Sequence, residues 1–93
     1  MSDTPKQTAE TLIDFPAELS VKAMGLNDGE FVALVESLVV AHVPGENAVK
    51  ITEVPSRHAK YVAVRAHFTA TNLAQLHAIY DALRSDARVL YVL

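Results

Sequence analysis

From Leu19 to Ala23 the chain alternates apolar and polar side chains (Leu19-Ser20-Val21-Lys22-Ala23), the two-residue period of a strand buried on one face. Met24 and Gly25 close that stretch. Asn27 stands three residues before Glu30, the spacing of an N-terminal capping box. From Asp28 to Val43 the period becomes helical: Phe31, Leu34, Val35, Leu38 and His42 fall on one stripe, which Val32, Val39 and Val43 widen. Pro44-Gly45 stops this helix. Residues 48–54 (AVKITEV) read as a second strand, and Pro55-Ser56-Arg57-His58 as a turn. The clearest strand spans Ala59 to Thr71. Val62, Val64, Ala66, Phe68 and Ala70 form its core row, with Tyr61, Ala63, Arg65, His67 and Thr69 on the opposite side. Asn72 then precedes Gln75 by three, opening a second helix to about Ser85 with Leu73, Leu76, Ile79, Tyr80 and Leu83 on its stripe. Residues 89–93 (VLYVL) form a last strand.

The order is strand, helix, strand, strand, helix, strand. This predicts an α+β ferredoxin-like fold, βαββαβ, with a four-stranded antiparallel sheet and two helices on one face. The polar residues 1–11 are expected to form a loose tail, leaving 12–93 as one domain; Leu12, Ile13 and Phe15 would pin the lead-in to the body. Both rows of the last strand are apolar, although this topology puts it at a sheet edge. Such an edge invites a cover, either the Leu12–Phe15 lead-in or a second subunit.

Composition narrows the functions. With 93 residues, 51% of them hydrophobic and 20% charged, the chain can bury one core. A net charge of −3 gives no general attraction to nucleic acid or anionic membranes. The lack of cysteine removes disulfides and thiolate chemistry. The N-terminus has no signal-peptide pattern, and no apolar run approaches the ~18 residues of a spanning helix, so a cytoplasmic protein is expected.

Several segments in order carry a resemblance: Leu12-Ile13-Asp14-Phe15-Pro16, Lys22-Ala23-Met24-Gly25, His42-Val43-Pro44-Gly45, Pro55-Ser56 with Tyr61, and Val92-Leu93. Together they resemble the YbeD-like family of small bacterial proteins of unknown function, over about residues 12–93. The resemblance implies a ferredoxin-like fold similar to the regulatory (ACT-type) domains of biosynthetic enzymes, and no known activity, cofactor or catalytic residue. One position departs: Ala59 stands where relatives tend to carry glycine.

Two groups of residues are candidates for function. Gly25, Asn27 and Gly29 line the passage from the first strand to the first helix, the place where ACT-type domains hold an effector; the plain structural alternative is that Gly25 supplies a positive φ for a tight turn. Lys22, Tyr61, Arg65 and His67 on the sheet, with Leu90 and Val92 on the last strand, are candidates for an interaction surface. The alternative for them is a solvated sheet face. RNA binding is a remote reading, because Tyr61 lacks the aromatic, glycine-rich setting that base stacking uses. The four histidines show no metal-ligand spacing, and no serine sits in a nucleophile motif. The expectation is a non-enzymatic regulatory or protein-interaction module without a cofactor, its partner a protein, a second copy of the chain included. The alternative is an ACT-like sensor of an amino acid or other metabolite.

Overall fold

Strand β1 (Ala17–Leu26) places Val21, Ala23 and Gly25 on its buried side and leaves the residues between them on the other. The structure, a computed structural model, describes residues 13–55 and 60–93. The tail expected over 1–11, most of the Pro55–His58 turn and Ala59 lie outside the described residues. Helix α1 (Phe31–Val40), strands β2 (Lys50–Pro55) and β3 (Tyr61–Ala70), helix α2 (Leu73–Arg84) and strand β4 (Tyr91–Val92) follow. The four antiparallel strands make one open sheet in the order β2-β3-β1-β4, and the fold is the α+β arrangement that the pattern predicts.

β1 pairs with β3 along its whole length, from Ala17 opposite Ala70 to Leu26 opposite Tyr61. This register sets Val21 against Ala66 and Ala23 against Val64, so the two central strands present one apolar row of small and β-branched side chains. Phe31, Val35 and Val39 of α1 and Leu76, Ile79 and Leu83 of α2 close over it in one continuous core. Ile13 and Phe15 pack against this core, as the lead-in reading expects. They lie beyond the Ala17 end of β1, whereas β4 pairs at Ala23 and Met24, so these two side chains do not cover the last strand.

The helix starts differ from expectation in one case and agree in the other. α1 begins at Phe31 rather than Asp28, because Gly29 takes a left-handed φ of 85° that a helix cannot contain. The Asn27–Glu30 capping box does not form: the Asp28 carboxylate accepts from the Glu30 N–H at 2.9 Å, and the Asn27 N–H donates to the Lys60 carbonyl at 2.9 Å. At its far end α1 tightens, with the N–H groups of His42 and Val43 reaching carbonyls three residues back.

At α2, Asn72 is the cap expected, its side-chain oxygen accepting from the Gln75 N–H at 2.8 Å. The Gln75 amide accepts from the Thr71 N–H and donates to the His42 carbonyl at 2.8 Å, which ties the start of α2 to the end of α1. Asn72→Ala is expected to cost about 1 kcal/mol, and Asn72→Gly only a few tenths. Thermal unfolding of the two variants checks this; equal losses would mean that the cap bond is not what holds the helix start.

The turn into β4 is closed by Asp86, which accepts from the Arg88 backbone N–H at 2.9 Å and from its guanidinium at 2.9 and 3.0 Å. The Arg88 side chain beside it holds the Asp86 carboxyl below the usual carboxylate range.

Candidate interaction surface

With both helices on one side of the sheet, no described helix or strand covers the other, the open face. Register decides which side chains meet there. Lys22 lies directly opposite Arg65, Met24 opposite Ala63 and Leu26 opposite Tyr61. On the outer strands, Thr52 lies beside Arg65, Val54 beside Ala63 and Lys50 beside His67, while Tyr91 lies beside Met24. Leu93 exchanges two backbone hydrogen bonds with Lys22, at 2.8 and 3.1 Å, and so joins the same face.

The open face is thereby divided into two zones whose rows run across the strands. One is apolar. Val54, Ala63, Met24 and Tyr91 form a row over all four strands, extended by Leu26 and Tyr61 on one side and Leu93 on the other. Leu26, Val54, Tyr61, Tyr91 and Leu93 are 37–58% exposed, whereas Ala63 beneath them is buried. The other zone is polar and mostly basic, with Lys22, Arg65, Lys50 and His67. His67 Nε2 lies 3.3 Å from Thr52 Oγ1. At its margin a depression of about 450 Å³ is lined by Glu18, Ser20, Asn47, Lys50 and His67 among others. Lys60 lies over the Tyr61 ring, 5.5 Å from its centre, and adds a cation beside the apolar zone.

Of the expected surface residues, Lys22, Tyr61, Arg65 and His67 do come together on this face. Leu90 and Val92 do not join them. Val92 is half-buried against the core, in the row that faces the helices, and exposed Leu90 lies just outside β4, its N–H bonded to the Met24 carbonyl at 2.8 Å. The places expected of them are taken by Tyr91 and Leu93. Leu26 and Val54 were also not singled out from sequence. Leu26 is the last residue of β1 and Val54 the last but one of β2, and the alternation within one strand does not show which neighbour each will meet.

In the Gly25–Gly29 passage, Gly25 does not supply the positive φ expected of it as a tight-turn residue. Gly25 is an ordinary β1 residue without a positive φ, paired with Val62. What requires glycine is space: a Cβ there would lie 2.3 and 2.6 Å from the Phe31 ring and 2.8 Å from the Arg88 carbonyl oxygen. Gly29 has open space around it and Asn27 is exposed. Among the described residues there is no group of three or more His, Asp or Glu placed to hold a metal, and no helix is long and apolar enough to cross a membrane.

A solved structure has the same architecture. The solution structure of protein HP0495 from H. pylori superposes with a TM-score of 0.72 over all of this chain and 98% of that one, at 14% identity, a likeness of fold alone. A UPF0250 protein of Janthinobacterium sp. (strain Marseille) is 36% identical over 84 residues, which cover 90% of this chain and 92% of the relative. One from Neisseria gonorrhoeae is 34% identical over 90 residues, covering 97% and 99%. Residues 10–93 match the family model described as "Protein of unknown function (DUF493)". The chain therefore belongs to the DUF493 family of bacterial proteins, many of whose curated members carry the UPF0250 name.

Proposed function

We propose that this protein is a non-enzymatic protein-interaction module that works through the open face of its sheet. The observation behind this reading is the apolar zone that crosses all four strands. Single exposed apolar side chains are ordinary, but five of them adjoining on one face amount to a few hundred Å², the scale at which such patches mark contact sites. The two tyrosines suit such a role, since each offers a large apolar body with a polar tip. The metabolite-sensor reading has less behind it, because the Phe31 ring occupies the space over Gly25 where an effector would have to approach.

A photo-crosslinking amino acid placed at Tyr91 in the producing cell tests the proposal, with Glu36 on the exposed side of α1 as the control position. The expected result is a discrete crosslinked protein band from position 91 that position 36 does not give. Bands of equal strength from both positions, or none from position 91, would overturn the reading.

A further inference from the structure

The charge on the open face points to the chemistry of the partner. The chain as a whole carries −3, yet Lys22, Lys50 and Arg65 stand together on this face, with Lys60 at its apolar end. Its one described carboxylate side chain is Glu18, opposite Thr69. Glu18 is four residues from Lys22 along β1, or about 13 Å at strand spacing, too far to pair with it. Lys22 and Arg65 are direct cross-strand neighbours, an arrangement of like charges that weakens a sheet. Neither forms an ion pair with a described carboxylate. Folding alone gives no reason to bring two cations together at the centre of the sheet, directly beside its apolar zone.

We infer that the partner is an amphipathic segment of another protein, with an apolar face flanked on one side by Asp or Glu. This deepens the preceding reading and rests on it. The apolar row Val54-Ala63-Met24-Tyr91 and the cationic row Thr52-Arg65-Lys22-Leu93 are successive on the same face, about 7 Å apart along the strands. A segment lying across the strands sets its apolar side chains on the first row and its carboxylates over Lys22 and Arg65. Four strands span about 15 Å between the outer two, the length of a helix of about 10 residues. Contact with the carboxylates relieves the Lys22–Arg65 repulsion, so the charge mismatch in the free protein becomes affinity and orientation in the complex. A second copy of the chain does not meet this description, because its own open face presents cations. Single-stranded RNA would satisfy the cations and stack on Tyr61 and Tyr91, but it leaves Leu26, Val54 and Leu93 without apolar partners.

The test is selection of a random-peptide display library on the intact protein, followed by fluorescence anisotropy of the selected peptides. Wild type is compared with Lys22→Glu, Arg65→Glu and Tyr91→Asp, and labelled oligo(U) is run in parallel. All three substitutions are on exposed or half-exposed positions, and circular dichroism verifies that each variant is folded. The expected result is a set of peptides rich in Asp or Glu together with large apolar residues. Their binding should weaken about tenfold or more with each charge reversal, fall with salt, and be lost with Tyr91→Asp. If Tyr91→Asp abolishes binding and the charge reversals leave it unchanged, the interface stands and the acidic partner is wrong. If none of the three variants changes binding, or no peptide is selected, both readings fail. Oligo(U) binding that depends on the same residues, or a dimer at micromolar concentration dispersed by Tyr91→Asp, would replace the acidic protein segment with RNA or with a second copy.

Discussion

Gly25→Ala is expected to cost about 3 kcal/mol, the upper part of the usual range for overpacking a core, and to lower the Tm by roughly 12–24 °C. The added methyl would come within 2.3 Å of the Phe31 ring and 2.8 Å of the Arg88 carbonyl oxygen. Neither obstacle is a mobile side-chain end. Phe31 is 3% exposed at the first position of α1, and the Arg88 carbonyl is backbone at the turn into β4. To admit the methyl, the start of α1 or the approach to β4 must move off the sheet. Phe31→Leu in the same chain removes part of the ring, so the double variant should lose less than the two single losses added together, the mark of residues in contact. Denaturant unfolding of the four proteins measures this. A loss below about 1 kcal/mol for Gly25→Ala would show that the contact relaxes easily.

Ile79→Ala is expected to cost about 2–5 kcal/mol, and Ile79→Val about 0.5–1.5. Ile79 is fully buried, in the middle of the α2 stripe between Leu76 and Leu83, where the helix rests on the sheet. Truncation leaves a void that neighbours held on a paired sheet and two helices fill only in part. A domain of this size has about 5–15 kcal/mol of stability in total, so the alanine variant should show a visible unfolded fraction under mild denaturant. Urea titration checks both values. If the alanine loss were no greater than the valine loss, α2 would be resting loosely on the sheet.

Both effects belong to the core, and the functional proposal concerns the side of the sheet that the core leaves uncovered. This separation has a practical use. Lys22, Arg65 and Tyr91 can be changed without touching the packing of Val21, Val64 or Ile79, so binding and stability can be measured as independent quantities.

The core was legible in the sequence to the extent that it depends on periodicity. The β3 row from Val62 to Ala70 is buried as its alternation predicts, and so are Leu76, Ile79 and Leu83 on α2. The Asn72 cap was legible because the bond it makes is local, spanning three residues. The matching signal at Asn27 failed for an equally local reason: Gly29 takes a conformation outside the helix, and Asp28 supplies a competing side-chain bond. A capping pattern cannot weigh that competition, because both outcomes use the same residue types.

The candidate surface was legible only in part. Tyr61, Arg65 and His67 share one strand, so their common face follows from a period of two. Lys22 joins them because β1 and β3 pair along their full length. Tyr91 and Leu93, on the other hand, reach this face through the register of a short strand set by bonds at Lys22 and Met24, which puts Val92 on the core side.

The sequence by itself determined the kind and order of the elements and their buried stripes, because these depend on spacings of two to four residues along one chain. Only the tertiary structure decided which rows lie side by side. It brought Val54, Ala63, Met24 and Tyr91 from four separate strands into one apolar row, set Lys22 against Arg65, and placed Phe31 and the Arg88 carbonyl over Gly25. Those juxtapositions depend on strand register and on helix-to-sheet distance. Both are fixed by how distant segments pack against one another, and the period of a single segment carries no record of them.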